Sequence, residues 1–146
     1  MKISTKVEFG IVALADIAIN SADGSIVSAA EISARQNISQ KYLEQILVTL
    51  KQGGFIKGIK GSRGGYKLAK SSSSITFFDI LNALDNNILS NDIDEEDDNG
   101  IRGSVNSCIW EELGERMRSF TKAMTLEEFI EIHKSGEVKE EPMYYI

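Results

Sequence analysis

In the stretch GGFIKGIKGSRGGYKLAK, Gly53 to Lys70, glycine dictates what the backbone can do. Gly53-Gly54 stops any helix that precedes it. Beyond it lie two short strand candidates, Phe55 to Lys60 and Tyr66 to Ala69, separated by Gly61-Ser62-Arg63-Gly64-Gly65. A glycine-rich loop of that length joins two strands as a hairpin, and its glycines permit positive φ and close backbone approach. The turn is also basic, because Lys57, Lys60 and Arg63 sit on or beside it.

The chain ahead of the hairpin reads as three helices. Val7, Ile11, Leu14, Ile17 and Ala18 recur at helical spacing between Ser4 and Asn20. SADGS at 21–25 is a turn cluster, and Ile26-Val27 after it is a short strand candidate. Ser28 and Glu31 form a capping box for a helix that runs to Gln36. Asn37 and Ile38 break that helix. Ser39 then caps a third, which carries Leu43, Ile46, Leu47 and Leu50 inward. Helix, helix, turn, helix and hairpin is the order of a winged helix-turn-helix.

SSSS at 71–74 spaces this unit from a further helix, Thr76 to Leu84, capped by Thr76 with Asp79. The expected DNA-binding unit is therefore residues 1–84. Residues 85–107 show neither helical nor strand period and hold six acids in the seven positions from Asp92 to Asp98, which predicts an acidic flexible loop. From Cys108 onward Trp110, Leu113, Met117, Phe120 and Met124 follow the 3-4 spacing of a helix that packs along another helix. Thr125 and Glu128 form a second capping box, opening a closing helix with Leu126, Phe129 and Ile130 inward, so that 108–136 reads as one helical unit and 137–146 as a tail. The expected class is mainly α with a small β-hairpin wing, followed by a long dimerisation helix. A winged unit holds its own core, so the Trp110–Met124 stripe needs another surface. The same stripe on a second copy supplies one, although burial within one chain has the same pattern.

Composition narrows the function further. The 146 residues suit one compact domain with appendages. No apolar run reaches bilayer-spanning length and MKISTKVEFG is not a secretory signal, so a cytoplasmic protein with no membrane partner is expected. Cys108 is the only cysteine, which excludes a disulfide framework and a thiolate zinc site within one chain. One histidine, one cysteine and a diffuse acid run offer no nucleophile–base pair, so no enzyme is expected. The net charge of −6 hides an asymmetry: residues 1–70 carry ten Lys/Arg and five Asp/Glu, residues 71–146 six and seventeen. A basic front on an acidic body fits a protein whose front alone meets a polyanion; two solvated halves carry the same numbers.

The third helix begins Ser39-Gln40-Lys41-Tyr42, with Glu44 and Gln45 following. Amides bridge base edges, Ser and Tyr reach phosphates, and Glu accepts from cytosine. A solvated helix face has the same composition, but here the basic hairpin follows at once. Lys60 and Arg63 are placed to touch sugar–phosphate or minor groove, and Lys6 near the start of the first helix adds a phosphate contact. The partner these residue types fit is double-stranded DNA.

The segments MKISTK, ISQKYLEQIL at 38–47, GGFIKGIKGSRGGYKLAK at 53–70 and ITFFDILNAL at 75–84 closely resemble the Rrf-two family of bacterial winged-helix transcription regulators. IWEELGERMRSF and TLEEF look like that family's long dimerisation helix and closing helix. The resemblance implies a homodimer on imperfect palindromes, with Ser39, Gln40, Lys41, Tyr42 and Glu44 in the recognition helix and Lys60 and Arg63 in the wing. Lys60 stands where many members have arginine, which implies weaker minor-groove insertion. Cluster-binding members place three cysteines in the 85–108 loop; with Cys108 alone, the resemblance implies no iron–sulfur cofactor. The family's cluster-free cysteine-metabolism repressors look closest, since they share an acidic loop and an aromatic tail ending in isoleucine, as Met143-Tyr144-Tyr145-Ile146 does. That implies a repressor of cysteine or sulfur metabolism whose Tyr145, Ile146 and terminal carboxylate dock in O-acetylserine thiol-lyase. Packing of both tyrosines on the protein's own dimer is the plainer role.

Other readings stay open. Cys108 is expected to be a buried structural thiol, with a thiol redox sensor or a cluster bridged across a dimer as alternatives. His133 is expected to be solvent-facing or satisfied, because no second histidine exists to share a metal. The acids of 92–98 lack the spacing and glycine of a calcium loop. An adaptor that does not bind DNA could reuse the same fold, in which case Lys60 and Arg63 are irrelevant to DNA affinity.

Overall fold

The computed structural model describes residues 2–90 and 99–136. Its centre is α1, Thr5–Asn20, which starts where the Ser4 hydroxyl accepts a hydrogen bond from the Val7 amide at 3.3 Å. Val7, Ala13, Leu14 and Ile17 of α1 are fully buried. Gly10 lies on the same buried face, and a Cβ there would come within 2.5 Å of the Leu84 side chain, so its absence lets a neighbouring helix settle against α1.

Helix α2, Ala29–Gln36, opens with the Ser28–Glu31 capping box and ends at Asn37, whose φ of 54° is left-handed. Asparagine tolerates that conformation better than most residues, and the sharp stop redirects the chain into the next helix. Ile38 is buried beneath the turn, and the Ser33 hydroxyl donates to its carbonyl. Helix α3, Gln40–Gln52, is capped by Ser39 and buries Leu43, Ile46, Leu47 and Leu50, the four residues its spacing predicts.

Strands β1, Ile56–Ile59, and β2, Gly65–Leu68, pair antiparallel with Ile56 opposite Leu68 and Ile59 opposite Gly65. Val27 adds a single bridge on the other side of β2, exchanging hydrogen bonds of 2.9 and 2.7 Å with Tyr66, so the Ile26-Val27 strand shrinks to one residue. Gly65 sits where this extra segment crosses the wing, and a Cβ on it would lie 2.5 Å from the Val27 carbonyl oxygen. Backbone cannot retreat as a side chain can. Gly65→Ala is expected to destabilise the protein by about 1–3 kcal/mol, read as a lower urea midpoint; an unchanged midpoint contradicts the close approach.

The serine spacer is a 3-10 turn, Ser72–Ser74, leading into α4, Phe77–Leu84, with its Thr76–Asp79 capping box. Farther on, the structure departs from the sequence expectation. Helix α5, Ile101–Val105, continues through a π turn at Asn106–Trp110 into α6, Glu111–Ala123, and every junction residue has helical dihedrals. The long helix thus begins at Ile101, within the segment expected to be loop; the acids of 92–98 lie outside the described residues. Helix α7, Leu126–Ser135, carries the predicted Thr125–Glu128 box.

The closing helix also belongs elsewhere than expected. Leu126 is fully buried and Ile130 nearly so, in the same core as Leu14, Ile46 and Ile80. The Leu126 amide donates to the Ile75 carbonyl at 2.8 Å, and the Phe77 amide to the Met124 carbonyl at 2.9 Å. These bonds fasten α7 across the entrance of α4, so it completes the winged unit, while α6 leaves that unit and returns to it.

Candidate nucleic-acid interface

Helix α3 buries one face and presents the other. Gln40, Lys41, Glu44 and Gln45 are exposed at its start. Ser39 is exposed as well, but its hydroxyl already accepts from the Tyr42 amide at 3.3 Å, which leaves it only its proton for a phosphate. Tyr42 is half-buried, with its ring edge-on to Phe9 at 6.1 Å between centroids. It anchors the start of α3 to α1, a packing role beside any contact of its hydroxyl.

One residue on the outer face escaped the sequence reading. Val48 is 54% exposed, one turn beyond Glu44 and Gln45. Its signal was an apolar residue out of phase with the buried Leu43–Leu50 set, and an exposed branched side chain is of a kind that meets thymine methyls in protein–DNA complexes.

The wing holds the cations. Lys60 and Arg63 are both exposed at the turn, and Lys6 is exposed on the first turn of α1. Lys57 stands directly opposite Lys67 across the two strands. Like charges in that register oppose pairing, so the wing carries a cost that an anion lying on it would relieve. Lys70 is engaged otherwise, its ammonium 5.0 Å from the centre of the Phe55 ring.

Behind this surface an ion pair on a buried carboxylate fixes the helix-turn-helix. Asp16 of α1 is only 3% exposed, yet it is a carboxylate. Arg35 approaches it with two hydrogen bonds, 3.0 Å from Nε and 2.8 Å from Nη2; Gln36 adds one of 2.8 Å and Asn20 one of 3.3 Å. Burial alone pushes the Asp16 carboxyl up, but the hydrogen bonds from Arg35 and Gln36, with the charge of Arg35, outweigh it and hold the group below its usual range. Arg35 and Gln36 are the last residues of α2, so the pair clamps the end of α2 to α1 immediately before the turn into α3.

The stripe predicted for a partner helix divides. Trp110, Leu113 and Phe120 are 54%, 49% and 65% exposed. Met117 is half-buried, and Met124 is no longer on the helix at all: it is the extended residue that ends α6, held by its backbone bond to Phe77. The stripe gains residues the sequence reading missed, Ile101, Val105 and Ile109, all exposed and spaced four apart on the earlier turns. Cys108 is exposed among them, contrary to the buried thiol expected, because the helix carries it on its outward side beside Ser107. Tyr145 and Ile146 lie outside the described residues.

A winged helix-turn-helix with a basic wing and a long trailing helix now stands beside known proteins. A profile of the Rrf2 family, described as iron-dependent transcriptional regulators, matches residues 3–132. The chain belongs to the Rrf2 family. The regulator IscR of Cereibacter sphaeroides is 35% identical over 135 residues, 89% of this chain and 87% of that protein. Among solved structures CymR (YrzC), the global cysteine regulator of B. subtilis, matches with a TM-score of 0.77 at 27% identity, covering 90% of this chain and 97% of that one. IscR of T. potens matches with a TM-score of 0.75 at 28% identity, over 99% and 97%. Rrf2 membership makes the chain a DNA-binding transcriptional regulator and not an enzyme.

The iron in the Rrf2 description is a separate question, decided by donors. Iron–sulfur clusters are held mainly by thiolates, about four to a centre. This chain has one cysteine, and among the described residues no three His, Cys, Asp or Glu side chains gather where a metal could sit. The single cysteine and the donors among the described residues do not fit a cluster.

Proposed function

We propose that this Rrf2 protein is a homodimeric repressor that reads palindromic operators, with the N-terminal half of α3 in the major groove and the wing on the adjacent backbone or minor groove. One feature carries the reading: the exposed polar start of α3 runs on through Gly53-Gly54 into a hairpin whose turn holds Lys60 and Arg63, both exposed. In this account Gln40, Lys41 and Glu44 specify bases, and Lys6, Ser39, Lys60 and Arg63 hold phosphates. Binding of the protein to captured genomic fragments tests this, with loss of affinity expected when the α3 and wing positions are replaced.

The exposed stripe of α5 and α6 supports the dimer. Two copies pairing along Ile109, Leu113 and Phe120 remove apolar surface from water and set the distance between recognition helices. Leu113→Glu with Phe120→Glu, both exposed and so tolerable to the fold, is expected to give a monomer by light scattering; an unchanged dimer mass contradicts this surface.

The regulated genes are proposed from likeness to cysteine-metabolism repressors: cysteine or sulfur genes, in the cytoplasm, with O-acetylserine thiol-lyase as a partner that receives Tyr145 and Ile146. Deleting the last four residues is expected to abolish enzyme binding and spare DNA binding. Equal enzyme affinity in the truncated protein sinks the docking.

The exposure of Cys108 favours a second reading, a thiol-sensing regulator. Peroxide then changes the operator affinity of the wild-type protein and leaves Cys108→Ser unaffected. Identical responses dismiss it.

A further inference from the structure

Between α1, the end of α2 and α7 lies a cavity of about 320 Å³. Its walls are apolar, formed by Val12, Ala15 and Ile19 of α1 and Phe129 of α7. Polar side chains line it too: Arg35, bonded to Asp16, and His133, stacked on Phe129. That volume stands at the small end of the roughly 300–1,000 Å³ typical of small-molecule sites, and an apolar body with a few polar groups is their usual construction.

The charge of the ligand follows from what these polar side chains still offer. The Asp16 carboxylate is filled by Arg35, Gln36 and Asn20. Arg35 commits Nε and one Nη2 hydrogen to it, and a guanidinium has five N–H donors in all. The Arg35 side chain is 38% exposed, so its outer edge is open to a bound molecule. His133 lies over Phe129 with the rings 6.4 Å apart and 20° from parallel, adding ring nitrogens at the rim. A ligand's polar end therefore meets the Arg35 guanidinium, which selects a carboxylate over an amine.

We infer that this cavity binds a small monocarboxylate with a short apolar body, and that its occupancy adjusts operator affinity. The second half rests on the DNA-binding reading above. The link between the two is short. Arg35 and Gln36 end α2, Asn37 makes the left-handed turn, and α3 starts at Gln40. A carboxylate on Arg35 ties the end of α2 to α1 and α7 and so shifts the pose of the recognition helix.

Calorimetry on the DNA-free protein, with hexanoate, hexanamide and hexylamine as probes, tests the site. Hexanoate is expected to bind saturably, hexanamide about tenfold or more weakly for want of the charge-assisted bond, and hexylamine not at all. Ala15→Phe fills the cavity and should abolish hexanoate binding. Should that variant fail to fold, His133→Ala, at an exposed position, should weaken hexanoate several-fold. Equal binding of the three probes, indifference to the filling variant together with His133→Ala, or no binding to the solubility limit overturns the site. Saturating hexanoate should then shift operator affinity several-fold in the wild type; hexanoate that binds without shifting it overturns the coupling. A protein that takes hexanoate but no DNA refutes the operator reading and the coupling with it, and leaves the carboxylate site supported.

Discussion

Replacing Lys60 and Arg63 together by alanine is expected to weaken operator binding roughly 100-fold at low salt, from two lost charge-assisted contacts. It is also expected to flatten the dependence of log affinity on log salt by about two, because each neutralised phosphate contributes about 0.9 to that slope. The two readouts separate a wing that touches backbone from one that merely shapes the surface. Both residues are exposed at the turn, so their removal leaves the core untouched. Gln40→Ala provides the contrast. As a base-reading residue it should alter preference between operator variants, a discrimination of about 1–3 kcal/mol, with the salt slope unchanged. A double wing variant that binds DNA with wild-type affinity and slope removes Lys60 and Arg63 from the phosphate contacts.

Arg35→Ala is expected to lower stability substantially. It strips the cation from a carboxylate that is 3% exposed, leaving Gln36 and Asn20 as its hydrogen-bond donors. Breaking a buried pair costs about 3–5 kcal/mol, and because Arg35 itself is partly exposed the low end, about 3 kcal/mol, applies here. In a chain of this size that lowers Tm by roughly 10 °C. The loss should also depend on pH in a definite sense. The folded Asp16 carboxyl lies below its ordinary value, so the unfolded chain takes up the proton first. Its stabilisation is complete above about pH 4 and declines as pH falls through the folded value. Urea melts of both proteins at pH 7 and pH 3 should therefore show a difference that narrows in acid. A difference constant across that range contradicts the pair as the source.

How much of this was legible depended on how local the physics was. The caps at Ser4, Ser28, Ser39, Thr76 and Thr125 satisfy amides three residues away, and four of them were readable as short motifs. The hairpin was readable because the glycine requirement at Gly61 to Gly65 is a backbone property. The start of the long helix was not. Gly103, Ser104, Asn106 and Ser107 are weak helix formers, and they masked the four-residue recurrence of Ile101, Val105 and Ile109. Nor was the outward placement of Cys108, since its side of the helix depends on a phase set across the π turn. The Asp16–Arg35 clamp spans nineteen positions and exists only because α1 and α2 cross, so neither residue announced the other. For the same reason α7 looked like part of a dimerisation unit: its apolar set fits any groove, and only the bonds of Leu126 to Ile75 and Phe77 to Met124 assign it to the winged core. In the candidate interface, residue type was readable at Gln40, Lys41, Lys60 and Arg63, whereas the anchoring of Tyr42 on Phe9 and the exposure of Val48 required the packed helix.

If two copies of α3 and the wing read one operator, hydroxyl-radical footprinting of genomic fragments captured by the purified protein will show it. Two protected blocks with related inverted sequences are expected, their centres separated by about one helical turn or a multiple of it, fading together as salt rises. A single block, or diffuse protection of every fragment alike, contradicts it.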